Sequence, residues 1–184
     1  MARLYIALLH FPMRNREGQV VATALTSLDV PDLARTARTY GVHRFYLVHP
    51  LESQRRIAAR LVEFWLSEEE LPSRREALEL VAIRADLEEV YEEIAAQEGR
   101  PPWVLGTTAR AHRLPYPKVA WEEARRRLRE VPTLVLFGTG HGMTDELLAA
   151  CDALLPAVRA GGYNHLSVRA AAAIILDRLK GEEP

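Results

Sequence analysis

Cysteine is almost missing from these 184 residues: the single one, Cys151, excludes an internal disulfide framework and any all-cysteine metal cage. Lysine is nearly as scarce, with Lys118 and Lys180 the only two, so arginine carries almost all the positive charge. No apolar run approaches bilayer length; the N-terminal run Leu4–Leu9 is short, and Arg14 and Arg16 follow it. With no cleavage-like signal either, a cytoplasmic protein is expected. The net charge of −1 excludes a global basic field of the kind that advertises nucleic-acid binding. His10, His43, His49, His112, His141 and His165 show no H-x-x-x-H or carboxylate pairing at ligand spacing, so no metal site is expected. Repeats, low-complexity tracts and Ser/Gly linkers are lacking, which leaves one domain over residues 1–184.

What is present is ordinary globular material, 48% hydrophobic and 27% charged, long enough for a sheet covered on both faces. The arginines cluster at Arg55/Arg56/Arg60, Arg74/Arg75, Arg110/Arg113 and Arg125–Arg127 with Arg129. Guanidinium matches phosphate geometry, but the same clusters suit solvated helix faces, so charge alone leaves RNA open.

Short apolar runs alternate with helical spacing. Leu4–Leu9 reads as a buried strand, and the stretch to Ser27 as a long loop with room for a short strand. A helix starts near Asp29, with Pro31 in its first turn and Gly41 at its C-terminal end. Strand Phe45–Val48 follows, then a helix from about 53 to 66. Ser73 with Glu76 has the form of a capping box before a strand at Val81–Ile83. An amphipathic helix, Asp86–Gln97, stops at Gly99 and Pro101. Strand Trp103–Gly106, helix Ala120–Arg129, strand Thr133–Phe137, helix Thr144–Ala150, a short strand near Ala153–Leu155 and a final helix, Ala170–Leu179, complete the pattern. The alternation predicts an α/β fold, a mostly parallel sheet with helices on both faces and ligands at the carboxyl ends of its strands.

Those ends are where the glycines lie. Strand Leu134–Phe137 runs into Gly138-Thr139-Gly140-His141-Gly142, and Gly161-Gly162-Tyr163-Asn164-His165-Leu166-Ser167 feeds the alanine-rich last helix. No Gly-Lys-Ser/Thr follows, which excludes a P-loop. A nicotinamide-binding Rossmann motif belongs in the first βαβ unit with an acid about twenty residues on. A Rossmann-type methyltransferase also opens with such glycines, whereas only 42 residues follow Gly142. Thr107-Thr108-Ala109-Arg110 follows its strand as Gly138 follows its own, so three small polar loops predict one cleft. Ser167 lacks a G-x-S-x-G elbow and an Asp/His framework, against serine-hydrolase chemistry.

The order of these loops resembles the SPOUT methyltransferases, whose last third is threaded into a trefoil knot. Asp29-x-x-Asp32-Leu33-Ala34-Arg35-Thr36-Ala37-Arg38-Thr39-Tyr40-Gly41-Val42 looks like the first SpoU-type motif, and His165-Leu166-Ser167-Val168-Arg169 with the alanines after it is similar to the third. The wording from Ala7–Pro12 through Asp29 and Arg35 to Gly138–Gly140 and Tyr163–Arg169 resembles one prokaryotic SPOUT family of S-adenosylmethionine-dependent RNA methyltransferases of unsettled substrate. SpoU enzymes carry Asn where this chain has Asp29 and Ser167, and a G-R-E-x-x-G-like motif in place of Gly138–Gly142.

The resemblance implies an α/β-knot homodimer that binds S-adenosylmethionine and methylates tRNA or rRNA at a ribose 2′-hydroxyl or a base nitrogen. Cofactor residues would be Thr107, Thr108, Leu136, Phe137, Gly138, Thr139, Gly140, Leu155, Asn164, His165, Leu166 and Ser167. Arg35 would clamp RNA phosphate, since a guanidinium is no free base, and Asp29 or His165 would accept the proton. Plainer roles stand beside these: a helix cap for Asp29, an ion pair for Arg35, turn-holding for Asn164 and His165. The other class left open is a module that binds S-adenosylmethionine or RNA without turnover.

Overall fold

Strand β1 (Leu4–Leu9) is buried at every residue, and its alternating side chains enter two separate cores. Leu4, Ile6 and Leu8 face one; Tyr5, Ala7 and Leu9 face the other. That two-sided burial is the signature of a parallel sheet covered on both faces. The computed structural model, which describes residues 2–67 and 72–181, shows six parallel strands in the order β5-β4-β1-β7-β6-β8. These are β4 (Arg44–Val48), β5 (Val81–Arg84), β6 (Trp103–Gly106), β7 (Thr133–Gly138) and β8 (Ala153–Leu154). Strand β1 pairs with β4 on one side and β7 on the other, Leu9 standing opposite Val48 and Gly138.

On the first face lie α1 (Asp29–Thr39), α2 (Glu52–Ser67), α3 (Pro72–Leu78), α5 (Trp121–Leu128) and α7 (Val168–Lys180). The other carries α4 (Leu87–Glu98) and α6 (Asp145–Ala150). The loop expected after β1 holds a two-stranded antiparallel hairpin, β2 (Met13–Arg14) and β3 (Val20–Val21).

Helix ends follow their side chains. Asp86, Thr144 and Ser167 cap α4, α6 and α7, accepting from the amides of Glu89, Leu147 and Ala170. Gly41 and Gly99, both at positive φ, end α1 and α4. Two expectations need correction. Ser73 already lies inside α3, so it caps nothing, because Pro72 occupies the first turn that the capping box assigned to later residues. Asp29 is not a cap either: Leu28 holds that position with no side-chain bond.

Candidate cofactor site

Loops from the carboxyl ends of β6, β7 and β8 meet the segment before α1 around a cavity of about 820 Å³, the scale of a small-molecule site. Thr107, Thr108, Ala109 and Arg110 form one side, and Gly138 to Gly142 the next. Pro156, Ala157 and Val158, then Asn164 to Ser167, close a third. Thr23, Ala24, Thr26 and Asp29 make the fourth wall, and Phe137, Ala171 and Ile175 supply apolar surface.

The walls are tied together by hydrogen bonds. The Thr107 hydroxyl donates to the carbonyl of Leu136 over 2.7 Å, joining the loops after β6 and β7. Thr23 is a hub: its amide donates to His10 O over 2.8 Å, and its hydroxyl donates to that of Thr139, which in turn donates to Leu9 O over 2.9 Å. His49 Nε2 holds the Thr23 carbonyl at 2.8 Å. Because His49 Nδ1 takes the Leu51 amide, Nε2 must carry the proton. His10 stacks on His49 with ring centroids 5.0 Å apart, and both are buried. His10 Nδ1 donates to Val48 O, leaving a buried Nε2 lone pair without a partner. Burial lowers the His10 pKa to about 4 against the opposing pull of the Val48 carbonyl, and desolvation lowers that of His49. Both rings are therefore neutral at pH 7.

The glycines serve the protein's own packing. A Cβ on Gly138 would stand 2.9 Å from Met143 Cγ and 3.0 Å from its amide nitrogen. Gly140, at φ +58°, would put a Cβ 2.9 Å from Thr23 Cγ2. Close approach between loops is thus a reason for Gly138 and Gly140 that stands beside the expected room for a ligand. Burial raises the Cys151 thiol to about 12, which removes it as a nucleophile.

Of the residues expected to bind cofactor, Thr107, Thr108, Phe137, Gly138, Thr139, Gly140, Asn164, His165, Leu166 and Ser167 line the cavity, as does Asp29. Leu136 and Leu155 do not: both side chains are buried in the cores. Arg35 also lies outside it, exposed on α1. Asp29 Oδ1 is 3.3 Å from Arg169 Nε, and Arg169 also donates to Asp32 over 3.3 Å, locking the start of α7 to the start of α1. Sequence reasoning missed the Thr23–Thr26 wall, whose only local signal was a polar loop; Arg110, in the loop expected after β6, donates to Asp145 over 2.7 Å at the cavity edge. Among the described residues no group of three or more His, Cys, Asp or Glu side chains could hold a metal.

A family described as SAM-dependent RNA methyltransferase matches residues 3–181. An uncharacterized protein of Aquifex aeolicus is 42% identical over 183 residues, covering 96% of this chain and 87% of that one. A tRNA (guanine-N(1)-)-methyltransferase of Nitratidesulfovibrio vulgaris is 44% identical over 97% of this chain, which spans only 42% of that protein. The SpoU methyltransferase AviRb from Streptomyces viridochromogenes, in complex with AdoMet, shares the fold at TM-score 0.61 and 18% identity, over 96% of this chain and 56% of that one.

Proposed function

The chain belongs to the SAM-dependent RNA methyltransferase family, and from that premise we propose that the cavity binds S-adenosylmethionine and that a tRNA or rRNA accepts the methyl group. The observation that carries this reading is the convergence of the loops after β6, β7 and β8 on one cavity. The lining fits the cofactor: Phe137, Val158 and Ile175 offer apolar surface for a purine, and loop amides with Thr107, Thr108, Asn164 and Ser167 offer neutral hydrogen-bonding groups. Bound there, the cofactor supplies a methyl group on a sulfonium whose sulfur leaves neutral, so the protein's task is to orient the acceptor and remove its proton.

His165 is assigned that proton. It is exposed and lines the cavity, whereas Asp29 is already engaged by Arg169. The acceptor is a ribose 2′-hydroxyl or a base nitrogen. Arg35, exposed on α1, is assigned to RNA phosphate beyond the cavity rim. The tRNA name of the longer relative covers a protein more than twice this length, so guanine N1 is not carried over.

The reading includes a homodimer, a single domain, a trefoil knot through the last third, and a cytoplasmic site of action. Its support is the resemblance to SPOUT enzymes and a stripe on α7, Ala170, Ala173, Ile174 and Asp177, that turns away from the protomer core. No helix among the described residues is long and apolar enough to cross a membrane.

The test is radiolabelled methyl transfer to RNA from a strain lacking this protein, with calorimetry for S-adenosylmethionine. Arg35→Ala should spare cofactor affinity and lower transfer by roughly 10²-fold, the scale of lost positioning. Arg35→Lys should restore it only partly, because a point charge makes no bidentate contact. Wild-type protein that binds cofactor and RNA yet transfers nothing would replace the enzyme by a binding module.

A further inference from the structure

The loop between β8 and α7 exposes a tyrosine at the mouth of the cavity. Tyr163 is 81% exposed, the most solvent-facing large hydrophobic side chain among the described residues. Its ring centroid lies 5.0 Å from that of His165, tilted by 60°, and the next two residues in the chain, Asn164 and His165, line the cavity. The turn has a defined form: Asn164 Nδ2 donates to Arg159 O over 2.7 Å, and Gly162 takes φ +70°. The exposed Arg159 guanidinium folds back under this turn, 3.7 Å from where a Cβ on Gly162 would sit.

We propose that Tyr163 is the stacking platform for an unpaired nucleobase of the RNA acceptor, with Arg159 taking the adjoining phosphate. This rests on the methyl-transfer reading and adds to it the form in which the substrate is recognised. A base stacked inside a helix keeps its reactive edge out of a recessed cavity, so an acceptor nucleotide taken there leaves its stack. An exposed aromatic face offers an unstacked base what it has lost, without reading sequence, and a neighbouring arginine neutralises the backbone beside it. The His165 ring, set at an angle to Tyr163, then faces the edge of that nucleotide instead of its plane, where a proton acceptor belongs. Recognition is thereby directed to single-stranded loops or bulges and away from continuous duplex.

The experiment is steady-state methyl transfer by the full chain to RNA from a strain lacking it, with binding of a single-stranded oligoribonucleotide carrying 2-aminopurine. Tyr163→Ala should lower kcat/KM for RNA by tenfold or more and abolish 2-aminopurine quenching, with S-adenosylmethionine affinity unchanged. Tyr163→Phe should recover most of both, since the ring is kept. Arg159→Ala should weaken RNA binding and flatten its salt dependence by about one counterion. An active wild type with an equally active Tyr163→Ala variant overturns the platform and leaves the methyltransferase intact. Loss confined to cofactor affinity, or a dimer that falls apart on Tyr163→Ala, overturns it in favour of a cofactor wall or a subunit contact. A wild type that transfers no methyl group to any RNA removes the premise.

Discussion

Single side chains decide how this site responds to acid and to crowding. His10 titrates near 4 when folded and near 6.5 when unfolded, so between those values the unfolded chain holds the extra proton. Stability is full above about pH 6.5 and falls as pH drops toward 4, by on the order of 3 kcal/mol for this group. His49, shifted the same way, steepens the fall. Thermal unfolding from pH 7 to pH 4.5 should show it, and His10→Gln should flatten the slope; a slope unchanged by that substitution would clear His10 of the effect. Gly140→Val addresses crowding. A β-branched residue at φ +58° against Thr23 should cost about 2 kcal/mol and weaken S-adenosylmethionine binding at least tenfold. Calorimetry and thermal melts of one preparation check both. The glycine was legible in the sequence. Its reason was not, because the partner residue stands more than a hundred positions earlier.

At the level of elements, the sequence displayed almost every strand and helix, since buried parallel strands are short apolar runs and α4, α6 and α7 carry their own caps. The element hardest to see was the β2–β3 hairpin, two residues a strand, closed by a local turn from Asn15 to Gln19 with Gly18 at φ +79° and tied to the glycine loop by Arg14 N donating to Gly142 O over 2.9 Å. The cavity loops were legible for a related reason: glycine and threonine mark strand ends locally. The Thr23–Thr26 wall and the Arg169–Asp29 link were illegible because only the folded topology brings them to the cavity. Helix α7 gives the element-scale prediction. Ser167 caps it and also lines the cavity, so Ser167→Ala should cost about 1 kcal/mol and reduce cofactor affinity, whereas Ser167→Asp should recover the stability. Urea unfolding with paired titrations would separate cap from ligand contact; full stability in the alanine variant would deny the cap its weight.

For the whole molecule the expected state is a symmetric dimer with α7 in its interface. Ala172 is fully buried within the protomer, so arginine there would damage the fold and report nothing about assembly. Ala173→Arg, on the outward stripe, should yield a folded monomer by sedimentation; a dimer that persists would move the interface to another surface. The order of the sheet has one more consequence. Strand β1 completes its pairing only with β7, more than a hundred residues later in the chain, and α7, later still, adds Ala171 and Ile175 to the cavity lining. A chain still being synthesised therefore holds a central strand with one edge open until most of it has emerged, and long-range pairing of this kind folds slowly. On the proposed reading, methyl donor cannot select for correct folding early, since its cavity is incomplete until α7 has docked. Donor binding would then report only molecules in which α7 has docked, and a cut before α7 should abolish it.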